Sequence, residues 1–208
     1  MPHDDRTDEM QALVGNLYLA PGAVLVPRAA TEPFPVLCFL HGAQEARQGN
    51  NPNGVFGHGS PASHARQGSP FVQPFLVVCP QLNAVGQWTL AHAPGVHVLL
   101  DAAIQQFGGD ANRVYLTGFS FGGKGTLDFA QWPNGGRFRK LWAVDPQPLP
   151  PQLPAGRPIL IHYSAQHAEA WRPHVQSIGI CFANSGRNHV LTCPEAYRQE
   201  GWYAWLLA

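Results

Sequence analysis

Ten residues near the middle of the chain leave little freedom in how it can fold: Val114-Tyr115-Leu116-Thr117-Gly118-Phe119-Ser120-Phe121-Gly122-Gly123. A β-branched, aromatic-rich strand runs straight into Gly-x-Ser-x-Gly-Gly, and a helix-compatible stretch, Gly123 to Gln131, follows at once. Only a very tight turn joins a strand to a helix over so few residues. Gly118 and Gly122 fall where the chain folds back on itself and a Cβ would collide. Ser120 is left at the tip, its hydroxyl presented beyond the strand end. With 22 glycines in 208 residues the bare pattern carries little weight, and a Gly-rich turn with an ordinary surface serine would match it too. The strand before it and the helix after it turn the pattern into a nucleophile elbow.

An elbow needs a sheet to stand on. Strand-like runs occur at Pro35–Leu40, Phe75–Cys79, Val114–Gly118, Leu141–Val144, Ile159–His162 and Ile178–Phe182. Most are continuously apolar, as strands covered on both faces are. They alternate with helix-like stretches at Pro94–Phe107, Phe121–Gln131, Ala168–Val175 and Pro194–Leu207, with a short helix near Ser60–Ala65. This alternation predicts an α/β fold, a mostly parallel sheet of about six strands with helices on both faces. The chain is long enough for one full core and is read as a single domain, 1–208, with residues 1–12 as a flexible polar start. The stretch Ala43 to Pro74 reads as a long, functional loop. Asp145 to Pro158 holds six prolines and reads as a stiff irregular connection.

Composition narrows the partners. Thirteen basic and thirteen acidic residues balance, which gives no steering toward nucleic acid or an anionic membrane. No apolar run is long enough to span a bilayer, and no basic, apolar leader opens the chain. Cytoplasmic residence is the expectation, although a secreted chain without its leader reads the same. Cys38, Cys79, Cys181 and Cys193 lack metal or redox spacing. The first two read as buried thiols, and a Cys181–Cys193 disulfide stays open. The histidines offer no ligand set at coherent spacing, so neither metal nor cofactor is expected.

Further motifs carry a resemblance. Pro35-Val36-Leu37-Cys38-Phe39-Leu40-His41-Gly42 resembles the His-Gly strand end of serine esterases with the α/β-hydrolase fold. Pro74 to Gln81, with Trp88 after it, resembles the next strand of the polyhydroxybutyrate-depolymerase-like and phospholipase/carboxylesterase-like branch. Asp110-x-x-Arg113 leading into the elbow, with Gly125-Thr126, and Gly186-Arg187-Asn188-His189 before a last helix are similar to the same branch. The resemblance runs from about Pro35 to the end. It implies an α/β-hydrolase without a cap domain that acts on carboxylic esters through Ser, His and an acid.

In that fold the acid and base follow the serine in the order Ser, acid, His. His189, after the last strand and before the final helix, is the expected base. His41 reads as loop-shaping and His162 as a packing histidine, while His58, His64, His167 and His174 read as solvated. The oxyanion hole is expected from the backbone N–H of Phe121 and of Ala43 or Gln44. The acid departs from the family: Gln166 stands where an aspartate is usual. Elimination leaves Asp145, at a strand end as in animal triglyceride lipases, and Glu169. Phe119, Phe121, Trp88 and Trp171 are the candidate substrate-lining aromatics of an open site. Such a site suits short-chain or aryl esters. A peptidase, a polyester depolymerase acting on an exposed polymer chain, or a weakly catalytic binding module of the same fold are the alternatives.

Overall fold

The computed structural model describes residues 3–13, 19–28, 30–47, 51–133, 135–150, 152–177 and 181–208. The strands are β1 (His3–Asp5), β2 (Leu19–Pro27), β3 (Phe34–Leu40), β4 (Leu76–Leu82), β5 (Gly109–Phe119), β6 (Phe138–Val144), β7 (Ile159–Tyr163) and β8 (Cys181–Asn184). They form one sheet in the order β1-β2-β4-β3-β5-β6-β7-β8. β3 to β8 pair in parallel, and β1 and β2 add an antiparallel end. The helices are α1 (Thr7–Leu13), α2 (Pro61–Gln67), α3 (Ala93–Phe107), α4 (Phe121–Phe129), α5 (Ala168–Ser177), α6 (His189–Tyr197) and α7 (Glu200–Leu207).

Successive side chains of a strand point to opposite faces, so a continuously apolar strand feeds two cores. Val36, Cys38 and Leu40 of β3 join Leu116, Leu141 and Ile161 against Val96, Leu100 and Ala103 of α3 and Leu127 of α4. Leu37 and Phe39 join Val77, Tyr115, Trp142 and Leu160 against Ala62 and Ala65 of α2, Tyr197 of α6 and Tyr203 and Leu206 of α7. The apolar runs are thus the two-sided strands of a three-layer sandwich. β5 sits near the middle of it, and its C-terminal end carries the serine.

The differences from the sequence reading have local causes. Among the described residues the sheet has eight strands where the sequence predicts about six, because β1 and β2 carry no clear strand pattern. Pro21 and Gly22 interrupt β2, yet a register shift between Pro21 and Ala23 absorbs them. β1 pairs only with Leu25 to Pro27, so Pro21 lies where β2 has no outer neighbour and a missing N–H does no harm. The expected flexible start is anchored: the Met10 side chain is fully buried and the His3 ring bonds the carbonyl of Phe75 (3.1 Å). The single last helix is two, α6 and α7, broken at Arg198-Gln199. The predicted strand Ile178–Phe182 falls partly on 178–180, outside the described residues, and β8 begins at Cys181. Cys38, Cys79 and Cys193 are free buried thiols, so the Cys181–Cys193 disulfide is absent.

Candidate active site

The elbow is a packing solution that only glycine satisfies. A Cβ on Gly122 would lie 1.8 Å from the Leu40 carbonyl oxygen, and one on Gly118 would lie 2.3 Å from the Gly122 oxygen. This close approach lets α4 begin directly after β5. Ser120 takes φ +57°, ψ −117° to make the corner, a conformation that side chains other than glycine seldom adopt. Three backbone bonds pin the corner: Ser120 N–H to Val144 O (2.9 Å), and Lys124 N–H (3.1 Å) and Gln147 N–H (3.0 Å) to Ser120 O.

β6 ends beside it. Asp145 follows Val144 directly, at φ +43°, and its N–H donates to the His162 carbonyl of β7 (2.8 Å). The carboxylate is completely buried. His189 arrives from the other side as the first residue of α6. The Asn188 side chain caps that helix by accepting from Leu191 N–H (3.0 Å). The sequence places His189 in the preceding loop; the cap fixes it on the helix instead.

Three distances define the centre. His189 Nε2 lies 3.0 Å from Ser120 Oγ, and His189 Nδ1 lies 2.5 Å from Asp145 Oδ2. Asp145 Oδ1 accepts from Ser164 N–H (2.8 Å) and lies 3.0 Å from His167 Nδ1. Burial pushes the Asp145 carboxyl up. The hydrogen bonds from His189, Ser164 and His167 outweigh it and hold the group below the ordinary carboxylate value. A buried carboxylate with three donors stays ionised. Glu169 lies exposed on the first turn of α5, as does Gln166 just before it, so the carboxylate beside His189 is Asp145.

The loop after β3 is held from below. His41 is buried. Its Nε2 accepts from Leu82 N–H (3.0 Å), which leaves Nδ1–H to donate to Gly42 O (2.5 Å). Burial lowers its pKa to about 4, so the ring is neutral. Trp88 is 1% exposed, and its indole N–H donates to His41 O (2.8 Å). It therefore supports this loop and does not line the site. Ala43, Gln44 and Glu45 form a short turn that borders a cleft of about 120 Å³ with His58, Phe119, Ser120, His189 and Val190. Phe119 stacks on the His189 ring at 4.9 Å. Phe121 opens α4, which sets its backbone N–H directly after Ser120. Trp171 packs face to face on His167 (4.6 Å, 11° between planes) and does not border the cleft.

His162 is a buried packing residue that accepts the Trp142 indole N–H (2.9 Å), and burial lowers its pKa to about 4. Two expectations for histidines fail. His64, expected to be solvated, is half-buried against Phe71 with Nδ1 3.1 Å from Ser69 Oγ, and His167, expected to be solvated too, lies against Asp145. His58 is exposed, as expected, and also borders the cleft at φ +51°. Glu45 carries no sequence signal; it is buried, and that burial pushes its carboxyl up. No spacing signal marks His58, His167 or Glu45, because separate loops bring them in. Asp145, His167 and His189 also gather three possible ligand atoms within 4.8 Å of one another, the one such group among the described residues. Those atoms already engage one another in the hydrogen bonds given above, so the group reads as a shared carboxylate rather than a metal centre.

No family model matches the chain, and no curated protein matches it. Solved structures do. A thermostable esterase superposes with a TM-score of 0.66 at 19% identity, over 89% of this chain and 58% of that one. The S-formylglutathione hydrolase of Staphylococcus aureus gives 0.63 at 15% identity, over 89% of each chain. A ferulic acid esterase gives 0.66 at 14% identity, over 98% of this chain and 97% of its own. The chain thus spans just over half of the first of these and nearly all of the other two. At such identities the likeness is one of architecture, and the architecture, a mostly parallel sheet with a serine elbow at the end of β5, is the α/β-hydrolase fold.

Proposed function

We propose that the protein is a serine hydrolase of carboxylic esters. The observation that carries this reading is the continuous relay Ser120 Oγ–His189 Nε2 (3.0 Å) and His189 Nδ1–Asp145 Oδ2 (2.5 Å) at the C-terminal edge of the sheet. A serine hydroxyl is a weak nucleophile until a neighbouring base takes its proton. His189 accepts that proton through Nε2 as Ser120 Oγ attacks the ester carbonyl. Asp145 holds the Nδ1–H tautomer and stabilises the imidazolium that forms. The backbone N–H groups of Phe121 and of Ala43 or Gln44 receive the negative oxygen of the tetrahedral intermediate. The imidazolium then protonates the departing alcohol, leaving an acyl group on Ser120. Water, deprotonated by the same histidine, releases the acid.

The small cleft favours short acyl groups: about 120 Å³ holds roughly four waters' worth of volume. Phe119 and Val190 give it an apolar side. A small ester is the substrate such a cleft fits. No helix among the described residues is long and apolar enough to cross a membrane. The test is covalent labelling. A fluorophosphonate should modify the wild type at the Ser120 peptide, and Ser120→Ala, still folded, should neither label nor hydrolyse p-nitrophenyl acetate. An adduct on another residue, or turnover in the alanine variant, overturns the assignment.

A further inference from the structure

We propose that His167 is a positioning residue for the acid: it clasps the Asp145 oxygen that His189 does not use, and so aims the other one at the base. The inference rests on the hydrolase reading above. The Asp145 N–H pins its backbone to His162 O of β7 (2.8 Å), but that bond does not fix the direction of the carboxylate. A carboxylate there can rotate about its side-chain bonds unless both oxygens are engaged. Oδ2 faces His189. Oδ1 receives the Ser164 N–H at 2.8 Å, and His167 Nδ1 stands 3.0 Å from the same oxygen.

The His167 ring is itself held on three sides. Trp171, one turn further along α5, covers one face at 4.6 Å and 11°. The Gln147 amide nitrogen lies 3.0 and 3.1 Å from the two ring nitrogens, and Ser164 Oγ lies 2.9 Å from Nδ1. His167 N–H closes a turn onto the Ser164 carbonyl (3.1 Å), which ties the ring to the end of β7. Two neighbouring strand ends therefore divide the work. β6 supplies the carboxylate, and the loop after β7 supplies the donor that orients it. With a proton on Nδ1 the ring donates to Asp145 Oδ1, and Nε2 lies 3.1 Å from the Gln147 amide nitrogen. Nothing in this arrangement touches substrate, so the effect should appear in kcat and leave KM unchanged.

The experiment separates the donor from the ring. His167→Phe keeps an aromatic face for Trp171 and removes the hydrogen bond; His167→Gln loses the stack and keeps an amide donor. We expect kcat on p-nitrophenyl acetate to fall about tenfold or more in His167→Phe, with KM unchanged, and to recover in His167→Gln. The proton in the short His189–Asp145 bond should give a resonance far downfield of the amides in the wild type, and it should shift or broaden in His167→Phe. That signal is independent of turnover. An unshifted resonance with unchanged kcat in folded His167→Phe overturns the proposal. So does a Gln variant no better than Phe, since restoring a donor would then restore nothing. If His167→Phe does not fold, His167→Leu supplies the donorless comparison. A downfield resonance that responds to position 167 in a protein that hydrolyses no ester upholds the clasp and refutes the hydrolase reading; failure of both refutes both.

Discussion

Replacing Asp145 by asparagine keeps the shape of the side chain and removes its charge, and the surroundings fix which way the amide must turn. Two donors, Ser164 N–H at 2.8 Å and His167 at 3.0 Å, converge on Oδ1. The amide oxygen stays there, because an NH2 group would meet two hydrogens. The NH2 then takes the Oδ2 position, 2.5 Å from His189 Nδ1 in the wild type. Nδ1 can no longer carry its proton, which moves to Nε2 and faces Ser120 from the wrong side. The lost attraction is large by itself. A carboxylate and an imidazolium with centres about 4 Å apart interact by about 4 kcal/mol at an effective dielectric of 20. That is about a thousandfold in rate. With the tautomer error added, kcat should fall by about 10³ to 10⁴; the same change in a well-studied Ser-His-Asp triad costs about 10⁴. The assay is p-nitrophenyl butyrate hydrolysis at pH 8, with folding checked by circular dichroism, and Glu169→Gln as the control that stays within about twofold, since that side chain is exposed. A folded Asp145→Asn protein that keeps more than about a tenth of wild-type kcat, within roughly 1.4 kcal/mol of barrier, would refute the reasoning and leave a Ser–His dyad.

Other perturbations test other parts of the design. His189→Gln should nearly abolish kcat, whereas His162→Gln, at a buried packing site, should cost stability and spare the activity of the folded fraction; equal losses of activity in folded protein would reassign the base. Gly122→Ala should destabilise the fold by about 3 kcal/mol or more, because the new methyl meets the Leu40 carbonyl, while Gly136→Ala, with open space around it, should stay within about 0.5 kcal/mol in a urea melt. Acid should weaken the fold well before the carboxylates are protonated. His41 and His162 have folded-state pKa values of about 4 against an ordinary 6.5, so the unfolded chain takes up protons that the folded one refuses. Stability is intact above 6.5 and falls toward pH 4 by up to about 3 kcal/mol per ring. Lowering the pH further through the depressed pKa of Asp145 removes that group's contribution as well. Flat stability from pH 7 to 4.5 would contradict this account of the two buried rings.

The parts of this molecule that are legible in the sequence are those fixed by local, periodic constraints. β3, β5, β6 and β7 stand out because burial on both faces demands unbroken apolar runs, and the elbow stands out because its sterics demand glycine at set positions. His189 follows from chain order, and Asp145 is one of two carboxylates that elimination leaves. β2 escapes notice because Pro21 and Gly22 read as a turn, and only the partner strand β4 shows that a bulge can carry them. Trp88 is misplaced for a similar reason: its aromatic character is visible, but its burial under the His41 loop depends on long-range packing. His167 and Glu45 give no signal, since nothing in the order of residues says that the loops holding them converge on Asp145 and Ser120.

Among the described residues, three that are not glycine hold a positive φ: His58, Ser120 and Asp145. All three border the cleft or belong to its relay. Backbone held in such regions costs on the order of 1–3 kcal/mol per residue, a sizeable share of the roughly 5–15 kcal/mol by which a domain is stable. On the proposed hydrolase reading, heat resistance and turnover are therefore set against each other at Ser120. Glycine at 120 would relax the main chain and raise the melting temperature while deleting the hydroxyl, whereas glycine at 145 would strand the three donors around the buried carboxylate and lower it. A library of this protein selected only for surviving heat should drift toward glycine at 120 and emerge sturdier and inert; selection on turnover after heating would have to find its gains elsewhere in the sheet.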